Sequence, residues 1–267
     1  MSLPSQSLHT IAEALYLAEK NRQPIRPITE TTPGFSLEDA YLIQSMNAGR
    51  ALREGKVLSG YKIGLTSREA QKHFGLTHPD YGHLFNTMAI CEEGELVLSQ
   101  LIQPKIEGEV AFILGKDLKG PGLTLVDVLT AVDCALVAME IVDSRIENWK
   151  IKAADTIADN GSSARYVLGT LKRSLRDFDL TTIGMALSRN AEVLVTGSGA
   201  AVMGNPLNAV VFLANELGKM DKGLLAGEVI LSGSLSGMIP LQARDSFTCE
   251  MLGLGKCSVH VVVAEGQ

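Results

Sequence analysis

Over the first fifty residues the apolar positions fall at helical spacing. Leu8, Ile11, Leu15 and Ala18 recur every three or four residues, which predicts an amphipathic helix. Pro24 and Pro27 end that pattern, because proline cannot continue a helix interior. Ser36 with Asp39 three positions on predicts a capping box and a second helix, stopping near Gly55. Beyond Gly55 the texture changes to short β-rich runs, predicted at 57–65, 106–114, 135–142, 165–168, 183–187, 193–196, 229–232 and 258–263. Turn residues punctuate them: Lys119-Gly120-Pro121-Gly122, Arg189-Asn190-Ala191 and Gly253-Leu254-Gly255. Two helices interrupt the strands. One is capped by Thr124 with Asp127, and the other opens at Asn205-Pro206 and runs to about Leu217. Helices and strands do not alternate regularly and no internal repeat is present, which argues against a doubly wound sheet or a barrel of repeated units. The expectation is an α+β chain: a mostly helical N-terminal part over 1–56 and a mixed, sandwich-like β-rich body over 57–267.

Composition narrows the function classes. The 267 residues are 46% hydrophobic and carry 24 Lys+Arg against 30 Asp+Glu, a formal net charge of −6. That is the profile of a globular chain with ample core. The acidic balance and the lack of a basic block argue against nucleic acid as a partner. No apolar run approaches the ~18–20 residues that span a bilayer, so no membrane segment is expected. Met1–Gln6 show no targeting pattern. Cys91, Cys134, Cys249 and Cys257 are far apart and form no C-x-x-C, which points to a reducing cytoplasm and away from a disulfide scaffold or structural zinc.

The chemistry-bearing stretch is Gln103-Pro104-Lys105-Ile106-Glu107-Gly108-Glu109-Val110-Ala111-Phe112. In a strand, residues two apart share a face and sit roughly 6–7 Å apart. Glu107 and Glu109 therefore point one way, and Ile106, Gly108, Val110 and Phe112 the other. The carboxylates either face solvent or converge on a cation. Glu140 lies within Ala135-Leu136-Val137-Ala138-Met139-Glu140-Ile141-Val142, a run too apolar for a solvated face. A buried carboxylate needs a partner, because its desolvation costs several kcal/mol. Arg145 in an ion pair is one candidate, and a metal shared with Glu107 and Glu109 is the other. Three carboxylates without His or Cys make a hard, all-oxygen site suited to Mg2+ or Mn2+. Lys62 shares one strand face with Gly60 and Gly64, with Tyr61, Ile63 and Leu65 expected on the other, and is either a solvated lysine or the positive charge beside an anionic substrate. Asp80, in Pro79-Asp80-Tyr81-Gly82, has a sequence that reads equally well as an ordinary turn. His78 and His83 bracket Asp80 and read as turn or helix-end residues. Segments 155–163 and 232–234 are either surface loops or pocket walls. Gly197-Ser198-Gly199 lacks the spacing of a nucleotide loop, and neither G-x-S-x-G nor H-E-x-x-H occurs.

Taken together, G-Y-K-I-G-L-T-S, P-D-Y-G, Q-P-K-I-E-G-E-V-A-F-I-L, the Glu140 run through D-S-R, D-T-I-A-D-N and V-I-L-S-G-S-L resemble a known family. They are similar to the 2-oxopent-4-enoate (2-hydroxypenta-2,4-dienoate) hydratases and 4-oxalocrotonate decarboxylases of aromatic meta-cleavage pathways, within the fumarylacetoacetate hydrolase superfamily. The resemblance runs from about Leu8 to Val263. It implies that superfamily's mixed β-sandwich roll and a metal triad of Glu107, Glu109 and Glu140. It further implies Lys62 and Asp80 as catalytic residues, Ser162 and Ser234 near the substrate, and a small anionic 2-oxo or 2-hydroxydienoate as that substrate. A homo-oligomer, associated with the pathway's sister enzyme, is also implied. Pro79-Asp80-Tyr81-Gly82 and Leu231-Ser232-Gly233-Ser234-Leu235 match the hydratases, whereas Asn160-Gly161-Ser162-Ser163-Ala164-Arg165 leans towards the decarboxylases. Hydration is the expectation, with decarboxylation of 2-oxo-3-hexenedioate as the alternative.

Overall fold

The computed structural model describes residues 2–263. It opens with helices α1 (Ser5–Asn21), α2 (Ile28–Thr31) and α3 (Leu37–Arg53). Helices α4 (Arg68–Phe74), α5 (Leu125–Ala131), α6 (Ala153–Ala158) and α7 (Leu207–Gly218) follow among the strands. The strands are β1 (Leu58–Gly64), β2 (Asp80–Phe85), β3 (Ala89–Ile90), β4 (Gly94–Val97), β5 (Lys105–Leu114), β6 (Val132–Val142) and β7 (Ser163–Leu168). They continue as β8 (Gly184–Arg189), β9 (Glu192–Ser198), β10 (Val229–Ser234), β11 (Ile239–Pro240), β12 (Ser246–Met251) and β13 (Gly255–Val262). Among the described residues the strands form an eight-stranded sheet, β2-β1-β10-β5-β6-β7-β3 with β11 beside β5, and a five-stranded sheet, β4-β13-β12-β8-β9. No helix of the described residues is long and apolar enough to cross a membrane.

Local signals set the helix ends. Ser36 and Asp39 close a capping box at α3, and Gly55 at φ 86 turns the chain out of it. Thr124 and Asp127 do the same at α5, with both Thr124 groups donating to the Asp127 carboxylate at 2.7 Å. Asn205 Oδ1 accepts from Leu207 N–H at 3.0 Å to open α7. The buried stripe of α1 is Leu8, Ala12, Leu15 and Ala18. It packs with Ile43 of α3 and with Ile146, Ile157 and Ala158, which ties the N-terminal helices to α6.

The larger core lies between the two sheets. Ile106, Val110 and Phe112 of β5 enter it, and the same face brings Gly108 against Cys249 and Met185 of the second sheet. The opposite face of β5 carries Glu107 and Glu109. Alternation therefore splits β5 as the sequence predicts.

Three sequence expectations change. Pro79-Asp80-Tyr81-Gly82 is not a turn: Asp80 begins β2, whose six residues are all buried. His83, expected at a turn, lies inside that strand against the Tyr61 ring. Leu65, expected opposite Lys62, adopts φ 55 and lines the same cleft as Lys62, because the chain reverses at the end of β1. Strands β2, β3, β4, β11 and β12 lie outside the predicted runs.

Candidate active site

The carboxylates converge through strand register. Glu107 and Glu140 are directly opposed on antiparallel β5 and β6, and Glu109 lies two residues along β5. Like charges in directly opposed positions destabilise a sheet unless something compensates them. All three are buried, Glu109 and Glu140 completely. Each offers an oxygen within 4.8 Å of the others. Glu109 Oε2 accepts from Gly233 N–H at 2.8 Å, where β10 bulges beside β5. Glu109 Oε1 and Glu140 Oε1 are buried without hydrogen-bond partners. Orphaned oxygens gathered at one point, all hard donors, fit a divalent cation.

The sequence left two partners open for Glu140, and Arg145 is not the one. Arg145 pairs with Asp159, whereas Lys62 Nζ of β1 stands 3.1 Å from Glu140 Oε2. Lys62 is 3% exposed. Burial alone would depress its pKa, but the carboxylates of Glu140, Asp80, Glu107 and Glu109 outweigh it and hold the ammonium above its ordinary range. Gly64, opposite Asp80 across the β1–β2 pair, has no side chain for a concrete reason. A Cβ there would lie 2.3 Å from Asp80 Oδ1 and 3.5 Å from Lys62 Nζ. That bare position lets the carboxylate and the ammonium border one space.

Burial shifts the acids upward. Glu107 is raised to about 7, by burial first and then by Glu140. Glu109 is raised well above the usual carboxylate range for the same reasons, and burial also raises Asp80 against the pull of Lys62. Asp80 Oδ1 is another buried oxygen without a hydrogen-bond partner.

A cleft of about 570 Å³ opens over this cluster. Lys62, Asp80, Glu107, Ser162 and Ser234 line it, with Glu109 and Glu140 beneath. All seven residues singled out in the sequence thus gather at one place. Ser162 Oγ donates to Asp159 Oδ2 at 3.3 Å and lies 3.4 Å from Thr156 Oγ1. Ser234 Oγ donates to Ser236 O at 2.6 Å. Sequence reasoning missed Thr156, which is buried and lines the cleft, and the Gly161 carbonyl, which accepts from Lys62 Nζ at 3.0 Å. Neither carries a residue-type signal, one being a common hydroxyl and the other backbone. The lining also includes the apolar side chains of Phe74, Trp149, Ile151 and Met238. Among the described lining residues Lys62 is the only Lys or Arg, and Glu69 stands at the same cleft.

Fold and site define an α+β protein of two packed sheets whose cleft is floored by three convergent carboxylates. Residues 63–262 match the family model described as fumarylacetoacetate (FAA) hydrolase C-terminal, and the chain belongs to that family. It is 46% identical over 250 residues to a 2-keto-4-pentenoate hydratase of Paraburkholderia xenovorans (strain LB400), covering 94% of this chain and 93% of that protein. It is 42% identical over 260 residues to a 2-hydroxyhexa-2,4-dienoate hydratase of Comamonas testosteroni, covering 96% and 97%. Among solved structures, the 4-oxalocrotonate decarboxylase from Pseudomonas putida G7, complexed with magnesium and adipate, superposes with a TM-score of 0.95. That pair shares 35% identity over 98% of this chain and 99% of that one. The α+β sandwich expected from the sequence is the fold of this family.

Proposed function

We propose that this protein is a metal-dependent hydratase that adds water to 2-hydroxypenta-2,4-dienoate to give 4-hydroxy-2-oxopentanoate, a lyase step of aromatic meta-cleavage catabolism. The observation that carries the reading is the buried trio Glu107, Glu109 and Glu140, with orphaned oxygens beneath a cleft whose described lining has one lysine and no arginine. These residues would hold Mg2+ or Mn2+. When bound, such an ion supplies Lewis acidity against the negative charge that develops on the substrate's 2-oxygen.

The chain's own groups do the rest. Three carboxylates and a divalent ion leave one net negative charge, and an anionic substrate adds to it. Lys62, held charged by its carboxylate neighbours, restores balance at the substrate's carboxylate end. Asp80, buried at the cleft with its pKa raised by burial, serves carbons 4 and 5 in this reading. The 2-hydroxyl proton passes to solvent and a proton is gained at carbon 5, which makes the α,β-unsaturated ketone. Water then adds with its oxygen at carbon 4, and carbon 3 takes a proton from solvent. Asp80 gives the proton in the first stage and takes one from water in the second. Ser162 and Ser234 orient the bound acid.

Decarboxylation of 4-oxalocrotonate is the second reading, supported by Asn160–Arg165 and by the solved relative. The charge of the cleft favours hydration. A dicarboxylate calls for a second cation, and the described lining has no Lys or Arg beyond Lys62, only His73, with Glu69 adding repulsion. The four cysteines are free thiols, three of them buried, in keeping with a reducing compartment.

A side-by-side assay with Mg2+ tests the reading. Loss of the dienol absorbance without carbon dioxide release is the expected result, and carbon dioxide from oxalocrotonate would replace the hydratase with the decarboxylase. Glu107→Gln is expected to lower turnover by roughly 10²–10⁴-fold, the scale of several kcal/mol of charge stabilisation. A variant with full turnover would remove Glu107 from the metal site.

A further inference from the structure

Beside Lys62 run three consecutive residues in the left-handed region, Asn160 at φ 56, Gly161 at φ 61 and Ser162 at φ 56, of which Gly161 and Ser162 line the cleft. Glycine adopts that conformation freely and asparagine tolerates it, but a run of three does not hold itself. The Asn160 side chain supplies the hold. Its Oδ1 accepts from His83 N–H at 2.7 Å and its Nδ2 donates to His83 C=O at 2.9 Å. β2 is the edge of its sheet, so the amide pairs with the outward groups of His83 as one residue of an added strand would.

Two bare residues let the segment come close. A Cβ on Gly82 would lie 2.4 Å from the Asn160 carbonyl oxygen, and a Cβ on Gly161 would lie 3.1 Å from Lys62 Cδ. The result is the 3.0 Å bond from Lys62 Nζ to Gly161 O. That bond fixes one ammonium N–H, Glu140 Oε2 stands 3.1 Å from Nζ as an ion partner, and the rest of the ammonium is left to the cleft. A lysine side chain has four rotatable bonds and no preferred aim of its own. Asn160 itself does not line that cleft.

We propose that Asn160 is a positioning residue: by clamping His83 it delivers the Gly161 carbonyl to Lys62 and thereby aims the Lys62 ammonium at the substrate. This rests on the proposed role of Lys62. A misplacement of about 1 Å in such a group costs on the order of 10²-fold in rate.

Asn160→Gly separates the clamp from the backbone, since glycine keeps the left-handed conformation while both side-chain bonds are lost. With the dienoate and saturating Mg2+, kcat is expected to fall on the order of 10²-fold. KM should change little, and Mg2+ affinity measured by calorimetry on the metal-free protein should not change. Asn160→Asp, which keeps the acceptor and loses the donor, should fall between wild type and Asn160→Gly. Lys62→Met identifies which reading fails. Wild-type turnover in Lys62→Met sinks the role of Lys62 and the clamp with it. A dead Lys62→Met beside a fully active Asn160→Gly sinks the clamp alone. If the clamp acts through Lys62, adding Asn160→Gly to Lys62→Met removes nothing further. Loss of Mg2+ affinity in step with kcat would overturn the proposal in favour of a general structural role. Should Asn160→Gly fail to fold, unchanged kcat in Asn160→Asp overturns it, and a reduced kcat with intact Mg2+ binding supports it.

Discussion

Around Arg145 every charge is answered. Its guanidinium donates to the Asp159 carboxylate and carbonyl and to the carbonyls of Asp143 and Ser163, the last at 3.0 Å. The Asp143 carboxylate in turn accepts from Ile102 N–H at 2.8 Å and Gln103 N–H at 2.7 Å. Around Glu140, five residues upstream, the opposite holds. Glu107, Glu109, Glu140 and Asp80 share one ammonium, Lys62, and buried oxygens on three of the four acids lack hydrogen-bond partners. Both clusters are as buried as any part of the core. A satisfied network stabilises the fold and offers a ligand nothing, whereas an unsatisfied one keeps its free energy available for whatever binds.

The contrast is broken most forcefully from the Arg145 side. Arg145→Met leaves Asp159 charged, buried and unpaired, and should destabilise the protein by about 3–5 kcal/mol. Urea denaturation checks this, with the same loss expected whether or not Mg2+ is present. A variant of wild-type stability would mean that the Arg145 network is no more structural than its neighbour.

The same experiment on the other cluster should give the opposite sign. In metal-free protein at pH 8, Glu107→Gln removes one of two directly opposed carboxylates and should stabilise the fold by about 1–3 kcal/mol. Saturating Mg2+ should reverse the order, because wild type gains about 2.7 kcal/mol at a hundredfold excess over Kd and the variant gains less. Thermal melts with and without Mg2+ read both halves. A destabilised metal-free variant would show that Glu107 is already satisfied.

How much of this was legible in the sequence follows from which interactions are local. The period of two placed Glu107 and Glu109 on one face, and the apolar run around Glu140 showed that its charge needs a partner. The capping boxes at Ser36 and Thr124 were readable because each spans three residues. What could not be read was register between distant strands. Nothing in the sequence says that β1 lies parallel to β10, pairing Lys62 with Leu231, or that Lys62 and not Arg145 reaches Glu140. Of the two readings open for Asp80 the turn fails, although Pro-Asp-x-Gly is a good turn sequence, because burial on both faces of β2 overrides it. β12 alternates Phe247, Cys249 and Met251 inward with polar residues between, yet its short polar-flanked run was passed over.

The smallest expected effect is also the most specific, since it isolates the Glu107 proton. In the folded, metal-free protein Glu107 titrates at about 7, against an ordinary value of 4.5. Between those values the folded state binds a proton that the unfolded chain does not, so this group's contribution to stability rises as the pH falls through about 7 and levels off near 4.5. Glutamine has no such titration. The advantage of Glu107→Gln over wild type should therefore be largest at pH 8 and shrink towards zero by pH 5. Asp159, raised to about 6 by burial against Arg145, and His83, lowered to about 4 by burial, also titrate on the acid side. They are common to both proteins and cancel in the difference. Melting temperatures of the two metal-free proteins at matched pH values supply the measurement. A gap that stays constant or widens on acidification would show that Glu107 is not the strained acid of the cluster, and that the repulsion is carried by Glu109 against Glu140 instead.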